Sequence, residues 1–334
     1  MIEVKELSKR YGDVEAVKGV SFSVGKDQVL GFLGPNGAGK TTIMKILTGY
    51  HYPTGGAAFV DGLSVQEQSV AVKARIGYLP EGVPLYGDLT VDEYLGFVAD
   101  ARLVAKGERA AKIGAAVEAC GLGGMRGRRI ETLSKGYKQR TGLAGAIVHD
   151  PPILILDEPT TGLDPNQIIE IRNLIKELGK RKTVILSTHI LQEVEAVCNQ
   201  VLILNEGRIA AQGTPEEIAV SMKGGVSWRL RLKAGDGAGG KPAVESALAA
   251  FAAEHQGENQ TVEEKGGGIF EAALLARNTG ARYTGEGAAG EDLFAEELFD
   301  WAVARDYKIL SMSRQRLTLE DIFVQLTHDD RYGG

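Results

Sequence analysis

Short apolar runs separated by glycine turns open the chain, and longer periodic stretches follow them. Ile2–Leu7, Val20–Val24 and Gln28–Leu33 read as strands, each brief, apolar and bounded by glycine-containing turns. A helix is expected from Lys40 to about Gly49, then strands at Ala57–Val60 and Ile76–Leu79. Thr90-Val-Asp-Glu93 has the capping-box pattern, in which the threonine hydroxyl accepts the glutamate N–H and the glutamate carboxylate accepts the threonine N–H. A helix should therefore run from there to about Leu103, and another from about Glu108 to Cys120, ending at Gly121. From Leu133 the order is helix, strand Ile153–Leu156, helix Pro165–Gly179, strand Thr183–Ser187, helix Leu191–Cys198 and strand Gln200–Asn205. Strands alternating with helices predict a largely parallel α/β sheet. Thr214-Pro-Glu-Glu217 opens one more helix, with proline at its first position.

The pattern loosens near Lys223. Gly235–Gly240, Gly266–Gly268 and Thr279–Gly290 are rich in small residues and read as loose connections. Between them lie a strand-like Ser227–Lys233, helical Ala243–Glu254 and Glu291–Ala304, and a strand Tyr307–Met312. Thr318-Leu-Glu-Asp321, another capping box, begins a last helix to about Leu326. The expected division is a domain over residues 1–222 and a small α+β domain over residues 223–334.

Composition narrows the function classes. The 334 residues are 43% hydrophobic and 25% charged, enough for a sizeable core. A net charge of −6 opposes the basic footprint of a protein that neutralises nucleic-acid phosphates, so no nucleic-acid partner is expected. Two cysteines, Cys120 and Cys198, are too few for a disulfide framework or a zinc ribbon. With no secretory leader legible at the N-terminus, a cytoplasmic address is expected. No run approaches the roughly 18 apolar residues that a membrane-spanning helix needs, so work at a membrane would require a partner.

Two motifs carry chemistry. Gly34-Pro35-Asn36-Gly37-Ala38-Gly39-Lys40-Thr41 follows an apolar strand and precedes a helix, the context in which a glycine-rich loop cradles phosphates. Glycines let the backbone curl so that successive N–H groups point inward, and the following helix adds its positive end. Lys40 is expected to reach the β and γ phosphates and the Thr41 hydroxyl to ligate Mg²⁺. Ile153–Leu156 is an apolar strand ending in Asp157 and Glu158. In an open α/β sheet that end faces the ligand crevice. Asp157 is expected in the Mg²⁺ shell, and Glu158, on the opposite pleat, beside the attacking water.

Between these motifs stands Leu133-Ser134-Lys135-Gly136-Tyr137-Lys138-Gln139-Arg140, preceded by Ile130-Glu-Thr. This segment resembles the signature of ATP-binding-cassette (ABC) proteins, and over about residues 1–220 the rest falls into register with that family. The resemblance implies a P-loop cassette: a mostly parallel sheet core, an antiparallel β subdomain and a helical lobe. It implies ATP and Mg²⁺ as ligands and an ATPase activity. Tyr11 matches the aromatic that stacks on adenine, Gly34–Thr42 the Walker A loop, Ile153–Glu158 the Walker B strand, Thr161–Asp164 the D-loop and His189 the switch histidine. The family pattern further implies a head-to-tail dimer with ATP held between the phosphate loop of one subunit and Ser134, Lys135 and Gly136 of the other. Lys40, Glu158 and His189 are then the catalytic candidates, and Thr41, Asp157 and Glu81 the Mg²⁺ candidates.

Three positions depart from the family's pattern. Glu81 stands where a glutamine is usual, Lys135 replaces the signature's first glycine, and Tyr137 its glutamine. Lys135 is either a cation near the partner's γ-phosphate or an ordinary solvent-facing lysine. Leu79-Pro-Glu81, the signature variant and Leu319-Glu-Asp-Ile-Phe323 together look like the branch of two-component exporters linked to gliding motility and multidrug export. An integral membrane permease subunit is the partner this implies, with the chain peripheral on the inner face of the cell membrane. Pro84, Leu85 and Tyr86 are either contacts to that permease or lobe packing. A soluble ABC ATPase acting on ribosomes or nucleic acid is the alternative, and a regulator without turnover a third.

Overall fold

A computed structural model describes residues 1–215, 217–218, 225–234, 240–254, 257–277 and 289–315. The described residues fall into two compact units, residues 1–215 and residues 217–315. In the first, strands β1 (Ile2–Tyr11), β2 (Val14–Val24), β4 (Gly55–Val60) and β5 (Leu63–Ser64) make an antiparallel sheet in the order β2-β1-β4-β5. The first two strands extend well beyond the apolar runs that betrayed them. Residues 8–19 alternate too weakly to read as strand, yet the hairpin continues to Tyr11↔Val14 through register shifts after Val4, Leu7 and Lys9.

The larger sheet holds β3 (Val29–Leu33), β6 (Ile76–Leu79), β7 (Ile153–Asp157), β8 (Thr183–Thr188), β9 (Gln200–Asn205) and β10 (Arg208–Gly213), in the order β10-β9-β3-β8-β7-β6. Only β10 runs antiparallel. Every residue of β3, β7 and β8 is buried, as expected of parallel strands covered on both faces. Leu33 pairs with Thr188 and Asp157 with Ser187, so these three strands end level with one another. That alignment brings the glycine loop, the acidic strand end and His189 to one edge of the sheet.

Among the described residues this unit includes the α-helices α1 (Lys40–Leu47), α2 (Ser69–Arg75), α3 (Val91–Ala101), α4 (Arg109–Ala119), α5 (Lys135–Ile147), α6 (Pro165–Gly179) and α7 (Leu191–Val197). Ile43, Met44, Ile46 and Leu47 of α1 sit in one core with Phe32, Ile155, Ile185 and Leu202 of the large sheet and Leu7, Val17 and Val60 of the small one. Each such side chain contributes about 1.5–3 kcal/mol by leaving water, so α1 is held firmly beneath the loop it follows. The capping box at α3 forms in full: Thr90 N–H donates to Glu93 Oε2 at 2.7 Å, and Glu93 N–H to Thr90 Oγ1 at 3.3 Å. Helices α3, α4 and α5 pack together as a lobe.

The second unit is β11 (Gly225–Ala234), α8 (Lys241–Glu254), β12 (Gly257–Gly266), β13 (Ile269–Arg277), α9 (Ala289–Ala304) and β14 (Tyr307–Gln315). Its sheet order is β12-β13-β11-β14, antiparallel throughout, which is a split β-α-β arrangement. On β11, Trp228, Leu230 and Leu232 face a core containing Leu248, Phe251, Phe270 and Trp301, while Arg229, Arg231 and Lys233 are exposed. Gly266–Gly268 is a tight turn with three positive φ angles joining β12 to β13, not a loose connection. Of the helix expected after Thr214, Pro215, Glu217 and Ile218 are helical; the helix expected from Thr318 lies outside the described residues.

Candidate active site

The phosphate-type loop is built where backbone crowds backbone. A Cβ on Gly34 would stand 2.4 Å from the Leu204 carbonyl oxygen, and one on Gly39 2.7 Å from that of Ala16. Gly39 also has φ +103°, so a side chain there is excluded twice over. Ala38 N–H donates to Pro35 O at 3.2 Å, closing the turn, while Asn36 and Gly37 are exposed at its tip. Helix α1 then starts at Lys40, with Thr41 and Thr42 half-buried in its first turn. Unpaired first-turn N–H groups and the helix dipole favour an anion at this spot.

Lys40 is only 6% exposed. Its Nζ donates to Gly34 O at 2.7 Å and Pro35 O at 3.2 Å, and lies 3.8 Å from Glu158 Oε1. Burial pushes the ammonium below the ordinary lysine range, and the charges of Glu158, Asp157 and Glu81 oppose that shift. Glu81 itself is exposed and, among the described residues, forms no hydrogen bond or ion pair with Thr41 or Asp157. The structure thus brings its charge into the site's field rather than its oxygens onto those residues.

Asp157 and Glu158 part ways, but not by strand pleat. The strand ends at Asp157, and Glu158 turns off it with φ +48°, a left-handed conformation costing a non-glycine residue about 1–3 kcal/mol. Ser187, fully buried on β8, holds the turn. Its Oγ accepts the Glu158 N–H at 3.0 Å and donates to Asp157 Oδ1 at 2.6 Å. The turn aims the Glu158 carboxylate at Lys40 on one side and at His189 on the other. His189 Nδ1–H donates to Glu158 Oε2 at 2.9 Å, and Thr161 Oγ1–H to the same oxygen at 3.2 Å. With Nδ1–H engaged, Nε2 is the imidazole atom left to meet a ligand.

Thr41 Oγ1 donates to Asp157 Oδ1 at 3.2 Å. Neighbouring ligands of an octahedral Mg²⁺ with bonds of about 2.1 Å stand about 3 Å apart, so this pair fits such an ion. Among the described residues no cluster of three His, Cys, Asp or Glu side chains could hold a metal unaided. A hydroxyl, one carboxylate and phosphate oxygens are the kind of set Mg²⁺ accepts.

The remaining sequence candidates lie apart from this cluster. Tyr11 is 41% exposed at the end of β1, with Lys9 Nζ 5.0 Å over its ring and His51 edge-on at 5.7 Å. Ser134 caps α5, its Oγ accepting the Tyr137 N–H at 3.4 Å. Ser134 and Lys135 are exposed; Gly136 is buried, and a Cβ there would meet the Gln167 side chain at 2.6 Å. Lys135 Nζ leans over Gly162, occupying the space a Cβ there would need. Sequence reasoning missed Ser187 and Thr161 as neighbours of the acids. A serine beside Thr188-His189 at a strand end was the available signal.

A protein-family model described as "ABC transporter" matches residues 17–161. The chain is 39% identical over 218 residues to an uncharacterized ABC transporter ATP-binding protein, YxlF, of Bacillus subtilis, covering 65% of this chain and 72% of that one. It is 37% identical over 227 residues to a Nod factor export ATP-binding protein I of Burkholderia orbicola, covering 66% and 73%. A solved ATP-binding subunit of an ABC transporter superposes with a TM-score of 0.61 at 32% identity, covering 66% of this chain and 92% of that one.

Proposed function

Because the chain belongs to the ATP-binding proteins of ABC transporters, we propose that its hydrolysis of ATP powers an exporter whose membrane-crossing part is a separate permease subunit. The observation that carries the site assignment is the convergence of Lys40 and His189 on the two oxygens of Glu158, at the mouth of the phosphate loop. Loop N–H groups and Lys40 hold the β and γ phosphates, and Lys40 exchanges the Gly34 and Pro35 carbonyls for phosphate oxygens. Glu158 takes a proton from water as its oxygen bonds to the γ-phosphorus, and the bond to the β–γ bridging oxygen breaks, giving ADP and phosphate. His189 reaches the γ-phosphate through Nε2. Thr41 and Asp157 would hold Mg²⁺, which would neutralise charge at the phosphates, and the nearby Glu81 would add its negative charge to the ion's field. Tyr11 offers its exposed ring to adenine.

A second cassette completes the site. Ser134, Lys135 and Gly136 of one subunit approach the γ-phosphate bound to the other, so that ATP joins the pair and hydrolysis loosens it. Glu158→Gln with saturating ATP should elute as a dimer on sizing chromatography; a monomer would contradict the sandwich.

Support for the permease partner comes from the lobe. Tyr86 is 54% and Phe97 51% exposed, packed edge-on at 5.4 Å, with Pro84 exposed beside them. Exposed clustered aromatics suit a docking surface. Among the described residues no helix is long and apolar enough to cross a membrane. Export is the direction suggested by the Nod factor relative, with the chain peripheral on the cytoplasmic face. The test is co-purification from detergent-solubilised membranes. An integral subunit should be captured by the wild type and lost with Tyr86→Ala/Phe97→Ala, whose basal ATPase rate stays unchanged. Recovery without any membrane partner would overturn the assignment.

A further inference from the structure

Glu193, the third residue of α7, is 2% exposed and carries no role in the mechanism above. Its Oε1 accepts the Thr160 hydroxyl at 2.5 Å and its Oε2 the Thr188 hydroxyl at 2.7 Å. Thr188 Oγ1 in turn accepts the Ile190 N–H at 3.0 Å. Arg172 Nη2 on α6 lies 3.8 Å from Oε1, and Arg172 Nε is buried without a partner. A buried carboxylate is expensive to desolvate, and apolar side chains of equal volume would pack here at no such cost. What the carboxylate gains is geometric. Thr160 is two residues beyond Glu158, and Thr188 immediately precedes His189. One side chain therefore ties the segment leaving β7 to the segment leaving β8, on either side of the Glu158–His189 contact.

We propose that Glu193 is a positioning residue, whose clamp on Thr160 and Thr188 sets His189 and the Thr161–Asp164 turn against Glu158. His189 is about half exposed, so little else fixes its ring from the solvent side. The clamp acts on the chemical step and not on nucleotide affinity, because neither hydroxyl belongs to the phosphate loop. The inference rests on the roles proposed for Glu158 and His189.

The test is steady-state ATP hydrolysis by Glu193→Ala, Glu193→Gln, His189→Ala and the Glu193→Ala/His189→Ala pair, with Thr188→Val as a second route to the same contact should Glu193→Ala not fold. Glu193→Ala and Thr188→Val should lower kcat about 10- to 100-fold with KM for ATP within about threefold. Glu193→Gln keeps an acceptor for one hydroxyl and a donor for the other, and should recover to within about fivefold of the wild type. In the His189→Ala background, Glu193→Ala should slow turnover by less than about twofold, since the group it positions is gone. Multiplying penalties, or a glutamine variant as slow as alanine, would overturn the proposal. So would a slow His189→Ala beside a fast Glu193→Ala, which leaves the site assignment standing. A His189→Ala enzyme at the wild-type rate would overturn the site assignment itself and the clamp with it.

Discussion

His189 Nδ1 lies 2.9 Å from Glu158 Oε2, while Lys40 Nζ approaches the other oxygen of that carboxylate at 3.8 Å. The carboxylate is thus held from two sides by groups that also reach toward the phosphates. His189→Ala removes one of the two holds and should lower kcat about 10²- to 10³-fold with ATP binding retained. Stopped-flow phosphate release and nucleotide titration separate the two effects; equal loss of binding and turnover would place His189 in general nucleotide affinity instead.

Lys40→Ala should act on affinity first. The ammonium is buried against the Gly34 and Pro35 carbonyls, so its removal leaves those acceptors and Glu158 without a cation. Calorimetry should show ATP affinity lowered at least about tenfold and turnover abolished. Normal hydrolysis by this variant would refute the loop's assignment.

Ser187→Ala probes the turn at Glu158. The variant leaves the buried Glu158 N–H unpaired and frees Asp157 Oδ1 from its 2.6 Å partner. Denaturant titration should register a loss of about 1–3 kcal/mol, the usual cost of an unsatisfied buried donor. Because the same hydroxyl holds the left-handed Glu158, kcat should fall about tenfold or more as well. A variant that is less stable but fully active would show that the turn is held by other contacts.

His149 should make stability depend on pH. Its Nε2–H donates to Ile76 O at 3.3 Å, and Nδ1 is buried with no partner. Burial, with Arg102, Lys182 and Lys112 nearby, pushes its pKa down from 6.5 to about 4. The unfolded chain then binds the proton more readily than the folded one between these values. Stability is fully present above pH 6.5 and is lost progressively as pH falls towards 4. Urea midpoints measured across that window should slope for the wild type and flatten in His149→Phe. Equal slopes would assign the dependence to other groups.

The parts of the site that work through backbone were legible in the sequence, because backbone roles constrain composition. Gly34 and Gly39 must be glycine where a Cβ would strike Leu204 and Ala16, and Ile153–Leu156 must be apolar to be buried on both faces. Helix α6 begins and ends at Pro165 and Gly179 as its proline and its periodicity predict. Side-chain partnerships across strands left no such mark. Ser187 reaches Asp157 from 30 residues away, and its place at a strand end beside Thr188-His189 was the one local hint of that role. The left-handed turn at Glu158 was also invisible, since glutamate seldom adopts it. In the second unit, β12 was missed because Gly257–Gly266 is polar except for the buried Val262, too little to show an alternating pattern. Its neighbour Ile269–Arg277 is rich in alanine and leucine and reads as readily as helix; only pairing with Gly225–Ala234 makes it a strand.

Single-turnover hydrolysis by Glu158→Gln at saturating ATP, with binding measured in parallel, separates activation of water from the grip on nucleotide. Glutamine keeps the shape of the side chain but cannot take the proton from water. If Glu158 is the base, ATP should bind as tightly as to the wild type and phosphate should form about 10²- to 10⁴-fold more slowly. Hydrolysis within a few-fold of the wild-type rate would mean that water is activated elsewhere.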